Sequence, residues 1–169
     1  MSTLSDLTPT LAPTLADRPT LVHDDAQISC SFNVMNDRPV TETLHVHHYE
    51  VTPHRVLARF DRDYRSSMRN SPDHLVFLTA LAHTQKMLYL ALCAHFGFEY
   101  DPDGPERLKM WPTKVEVSMP KLCDQIADVV QVLDVLQLRR IDDRTYRARI
   151  ETRVGDALCI RASVPVFLI

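Results

Sequence analysis

Glycine is scarce in this chain: Gly97, Gly104 and Gly155 are the only three. Phosphate-cradling loops need clustered glycines so that backbone amides can approach the anion, and neither GxGxxG nor GxxxxGK occurs. Dinucleotide-binding and P-loop chemistry are therefore disfavoured, and without a GxSxG elbow an α/β-hydrolase has no visible nucleophile. The four cysteines, Cys30, Cys93, Cys123 and Cys159, are scattered and form no CxxC pair. That spacing suits buried thiols in a reducing compartment better than a zinc knuckle or a disulfide framework. Neither sign of charge dominates, since 19 basic and 22 acidic residues leave a formal net charge of -3. Nucleic acid thus has no electrostatic claim as a partner. The N-terminus lacks the basic region and apolar run of a secretory signal, so a cytoplasmic location is expected.

What the chain does contain is one long apolar run, residues 75–94, LVFLTALAHTQKMLYLALCA, uninterrupted by Gly or Pro. With 15 of its 20 residues hydrophobic, it reads as a helix apolar on nearly every side, which other structure must wrap. A membrane span is the rival reading, but Thr79, His83, Thr84, Gln85 and Lys86 crowd its middle, where polar and charged groups are expensive in lipid. Residues 1–25 are rich in Thr, Pro and Asp, with Pro-Thr-Leu recurring at 9–11, 13–15 and 19–21, and read as an extended or disordered arm. Residues 26–169 read as a single domain. Strand-like runs occupy 28–36, 41–50 and 55–62 before the helix, and 114–119, 129–140, 145–154 and 157–169 after it. Ser71-Pro72-Asp73 opens the helix, with Ser71 or Asp73 as cap, and Gly97 closes it. The segment 121–128 stays open between loop and short helix.

The order of strands, one buried helix, then antiparallel strands resembles hotdog-fold enzymes that act on acyl thioesters of coenzyme A or acyl carrier protein. The resemblance covers 28–169 in element order and 64–90 at the level of motifs. It implies an α+β hotdog fold, a curved antiparallel β-sheet wrapped around one long central helix, extended by a second copy in a homodimer or higher oligomer. FcoT-type long-chain acyl-CoA thioesterases are similar at Ser71-Pro72-Asp73-His74, Gln85 and Tyr89. β-Hydroxyacyl-carrier-protein dehydratases are similar along LVFLTALAH, which places Thr79 at their catalytic Glu, His83 at a Gln, and Arg65 where their catalytic His would lie. A-factor-type hotdog domains offer a third comparison, again with the helix acid absent here.

The resemblance implies a thioester-processing enzyme, with hydrolysis first and dehydration, hydration or condensation as alternatives; a non-catalytic acyl-binding or assembly subunit is the other class. No cofactor is expected beyond the coenzyme A or phosphopantetheine of the substrate. Thioester hydrolysis needs a base or nucleophile and donors for the oxyanion. At about 100° per residue, Thr79, His83 and Lys86 share one stripe of the helix while Gln85 faces away. His83 is the candidate base with Thr79 as orienting hydroxyl or nucleophile, and Gln85 is the candidate to orient water or hold the carbonyl. The amides near His74 and Leu75 are candidate oxyanion donors, by the fold analogy. Asp73, His74, Tyr64 and Arg65 stand at or near the helix entrance, where capping or packing and substrate positioning are both open. His45 and His47 share a strand face but lack a third ligand, so no metal is expected. The arginines at 139, 140, 144, 147, 149, 153 and 161 read as a solvated sheet face or a cationic site for phosphates or an acidic carrier.

Overall fold

The computed structural model describes residues 18–25, 27–35 and 38–169; the expected arm lies outside the described residues up to position 17. Nine strands and one helix follow in order: β1 (Thr20–Val22), β2 (Ile28–Met35), β3 (Arg38–Val51), β4 (Arg55–Ser66), α1 (Phe77–Phe96), β5 (Leu108–Met110), β6 (Lys114–Ser118), β7 (Val129–Arg140), β8 (Thr145–Val154) and β9 (Leu158–Leu168). They form one antiparallel sheet with the path β3-β4-β7-β8-β9. β1 and β2 pair with β3, while β5 and β6 pair with β9. A curled antiparallel sheet carrying one helix fits the hotdog arrangement. The β7 to β9 run falls almost where the alternation placed it, whereas β5 had no sequence signal and 121–128 is irregular rather than helical.

Alternation decides which residues meet the helix. Val40, Glu42 and Leu44 point inward from β3, Val56, Ala58, Phe60 and Arg62 from β4, and Val129, Gln131 and Leu133 from β7. Ala148, Ile150, Thr152 and Val154 on β8, with Ile160, Ala162, Val164 and Val166 on β9, complete the buried face. A bulge between Val46 and His48 adds one residue to β3, so that Tyr49 and Val51 also turn inward. His45 and His47 are left on the outside, where His47 pairs with Asp61 at 3.2 Å.

The helix begins two residues later than the apolar run and without the expected local cap. Neither Ser71 nor Asp73 reaches the free amides. Val76 is the N-cap, and its N–H donates instead to the Glu42 carboxylate from β3, at 3.0 Å. The C-terminus is as expected: Gly97 takes the left-handed conformation at φ 71°, with its N–H on Ala94 O and that of Phe98 on Cys93 O. Gly97→Ala should therefore cost about 1 kcal/mol in urea unfolding, since a Cβ strains this conformation although it meets no neighbour.

The sheet covers one flank of the helix rather than all of it. Phe77 and Leu78 remain 39% and 40% exposed, and Gln85 is exposed on the same side. Among the described residues no helix is long and apolar enough to cross a membrane. The segment before β2 is held to the helix through Asp24, which takes Lys86 Nζ at 2.5 Å and the Tyr100 hydroxyl at 2.5 Å.

Candidate active site

Polar residues occupy inward positions at two places along the helix. The first lies at its entrance. Arg62, on the apolar side of β4, donates from Nη1 to Glu42 Oε1 at 2.8 Å, from Nη2 to Asp73 Oδ1 at 2.6 Å, and from Nε to Gln125 O at 2.8 Å. The Glu42 and Arg62 side chains are both fully buried. Burial pushes the Glu42 carboxyl above its ordinary value, against the opposing pull of Thr79, the Val76 amide and Arg62. The Thr79 hydroxyl is fully buried and among the described residues makes no hydrogen bond of good geometry, although it helps to hold Glu42 charged.

The segment 119–128 seals this entrance. Leu75 N–H donates to Cys123 O at 2.8 Å and Arg62 N–H to Ile126 O at 2.7 Å. The Leu75 amide, a candidate oxyanion donor from the sequence, is thus already engaged, and so is that of Val76. The first-turn amides of Phe77 and Leu78 lie beyond these two, at the exposed edge, and have no intrahelical partner.

The second place is the middle of the helix. Thr84 Oγ1 donates to Ala80 O at 2.7 Å, and Thr152 Oγ1 to Val132 O at 2.9 Å, so each hydroxyl has spent its hydrogen. Both can only accept from Gln131 Nε2, at 3.0 Å each, which fixes the orientation of that amide. Gln131 Oε1 then faces His83 Nδ1 at 2.9 Å, and His83 must carry its proton there. Among the described residues its Nε2 lone pair has no partner, and it is enclosed by Tyr49 and Phe60, with ring centroids 5.7 and 5.3 Å away. Burial lowers the His83 pKa to about 4, so the ring is neutral at pH 7.

The structure thus sends the candidate residues to different places. Thr79 and His83 face the sheet and are fully enclosed, while Lys86 on the same stripe is tied to Asp24. Tyr64, Asp73 and His74 gather at the helix entrance: the Tyr64 hydroxyl meets Ser71 Oγ at 2.9 Å, and His74 Nδ1 donates to Pro72 O at 2.9 Å. Leu75 is core, and Arg65 is exposed and paired with Asp63 at 2.9 Å. Gln85 alone borders a crevice, where Leu81, Thr84 and Leu88 of the helix face Met110, Trp111 and Pro112 and the inner residues Ile150, Ala162 and Val164. The crevice is narrow, with about 10 Å³ free, and apolar except at Gln85 and Thr84. Trp111, 52% exposed, stacks on Phe167 at 5.1 Å and stands at its mouth.

Glu42, Arg62 and Gln131 escaped the sequence reading, yet each had a signal. Each breaks an apolar alternation on its inward side, between Val40 and Leu44, after Phe60, and between Val129 and Leu133. Among the described residues, no cluster of three or more His, Cys, Asp or Glu could hold a metal.

No family model and no curated protein matches the sequence. Solved structures similar in fold at low identity include the following three. Thioesterase HI1161 from Haemophilus influenzae is 12% identical, over 68% of this chain and 73% of that one, with a TM-score of 0.43. A mutant of thioesterase PA1618 from Pseudomonas aeruginosa is 11% identical, over 75% and 82%, with a TM-score of 0.44. AziG from S. sahachiroi is 11% identical, over 75% and 92%, with a TM-score of 0.45.

Proposed function

We propose that this chain processes acyl thioesters of coenzyme A or acyl carrier protein, and that hydrolysis is the reaction. The observation that carries this reading is the crevice between Gln85 and Trp111, an aliphatic-walled slot with one exposed amide, about two helical turns from the exposed first turn of the helix. An acyl chain lies between Leu81, Leu88 and the β8–β9 residues once the Trp111–Pro112 segment lifts. The thioester carbonyl then sits toward Phe77 and Leu78, whose free amides suit a developing oxyanion. Gln85 orients the attacking water. The water oxygen adds to the carbonyl carbon, the C–S bond breaks, one of the water's protons passes to the departing sulfur and the other stays with the acid, so that the products are the free acid and the thiol.

In this assignment His83, Thr84 and Gln131 brace the helix from beneath, with His83 and Thr79 reached by substrate only if the core opens. Tyr64, Asp73 and His74 frame the entrance. A homodimer suits the exposed surfaces: β6 is an edge strand whose Val115 and Val117 are exposed, as are Phe77, Leu78 and Trp111.

Gln85→Ala should lower kcat by about 10²-fold with little change in KM, because a positioned amide acts in the transition state. A panel of acyl-CoA and acyl-carrier-protein thioesters, followed by thiol release, checks it. Unchanged turnover in that variant would remove Gln85 from the site. The small free volume of the crevice favours a second reading, an acyl-binding subunit without turnover. Mass spectrometry separates the two: bound intact thioester and no free acid from any chain length is the result that reading predicts.

A further inference from the structure

The sheet face turned away from the helix carries an imbalance of charge that the cross-strand register makes explicit. One row holds Asp134, Glu151, Arg161 and Glu116 in register across β7, β8, β9 and β6, and its acids are answered by cations. Arg161 and Arg153 both bond Glu151, and Arg55 pairs with Asp134. The next two rows hold Gln137, Arg149, Ser163 and Lys114, then Arg139, Arg147 and Pro165, with no acid in either. Arg139 stands directly opposite Arg147, a placement that like charges disfavour unless something anionic lies between them. Among the described residues, Arg139, Arg147 and Arg149 make no ion pair.

These rows border an open cavity of about 290 Å³ lined by Lys114, Glu116, Leu136, Arg147, Arg149, Arg161 and Ser163, in which Glu116 is already paired with Lys114 at 2.7 Å. Leu136 faces outward by the alternation of β7 and is 57% exposed, and as the extra residue of a bulge between Val135 and Gln137 it shifts the alternation so that Gln137 and Arg139 share its face. The result is an apolar seat enclosed by guanidinium groups, which bind phosphate oxygens in pairs. A concave site of this size suits a small molecule better than the surface of an acidic protein.

From this juxtaposition we infer that the cavity binds a nucleotide carrying at least two phosphates, its base on Leu136 and its phosphates on Arg147 and Arg149. Lys114 follows closely on Trp111 and Pro112, so the edge strand β6 separates this cavity from the mouth of the crevice. Identifying the nucleotide with the far end of a coenzyme A thioester rests on the function proposed above; the anion site itself does not.

Calorimetric titration of the full chain with adenosine 3′,5′-bisphosphate tests the inference. Expected is saturable binding that weakens as salt rises and falls by at least about tenfold in Arg147→Gln/Arg149→Gln. Both positions are exposed, and circular dichroism confirms that the variant is folded. Binding should persist unchanged in Gln85→Ala, and it should stand even if no thioester is turned over, a result that would sink only the proposed activity. Absence of binding at millimolar ligand, equal affinity in the double variant, or displacement by inorganic phosphate at equal concentration would each overturn the nucleotide site. So would capture of an acidic carrier protein through these arginines with no binding of the bisphosphate.

Discussion

Arg62→Met is expected to lower stability at neutral pH by about 3–5 kcal/mol, one of the two largest single effects in the molecule. Arg62 ties together Glu42, Asp73 and the Gln125 carbonyl, and its side chain is fully buried. Its removal leaves the Glu42 carboxylate enclosed with the Val76 amide as its remaining strong donor. The variant will then take a proton at Glu42 on folding. The folded pKa of Glu42 already lies above its ordinary value because of burial, and loss of the cation raises it further. A raised folded pKa contributes stability at low pH that disappears as pH rises through it, so the deficit of Arg62→Met should grow from acid toward neutral pH. Urea midpoints at a series of pH values measure this. Glu42→Gln/Arg62→Met should recover much of the loss, since it removes the stranded charge as well as its partner. A single-variant cost under about 1 kcal/mol would show that the cluster is not closed to water.

The second large effect comes from His83. Its pKa falls from 6.5 to about 4 through burial, so the unfolded chain binds a proton in that interval that the folded chain refuses. Stability is therefore full above pH 6.5 and is lost on acidification, by about 3 kcal/mol down to pH 4. His83→Gln, which retains an N–H for Gln131, should flatten the dependence in this window. Thermal unfolding at pH 4.5 and 7 compares the two proteins; equal pH slopes would mean that His83 titrates as though exposed. The same geometry bears on catalysis. A base that is neutral at pH 7 but enclosed by Tyr49 and Phe60 cannot meet water in the closed chain.

The elements of the fold were largely legible because period-two alternation and a long apolar run are strong signals, and Gly97 and Gly155 mark their ends at positive φ. The site was less so. Glu42 and Arg62 lie 20 residues apart in sequence, and only the β3–β4 register brings them to one face. That pairing also explains the missed cap. Asp73 is next to the helix start in the chain, but the arginine captures it, and a carboxylate from a distant strand takes the amide. Likewise, helical spacing placed Thr79 and His83 on one stripe without revealing that this stripe faces the sheet. Gln85, set apart by the same spacing, proved to be the residue beside the crevice.

The register of β4 against β7 has a kinetic consequence. Phe60 pairs with Val129, whereas β3–β4 and β7–β8–β9 are joined by short turns. The two hairpin units can form from local contacts, but their union must close a loop of about 70 residues that contains the helix, and such non-local pairings slow folding. The Arg62–Glu42 pair forms within the first unit. Its contacts with Gln125 and Ile126 can form only when the second unit docks. Arg62 is thus the residue at which the union of the two hairpin units becomes an electrostatic event, the moment when a hydrated ion pair loses its water.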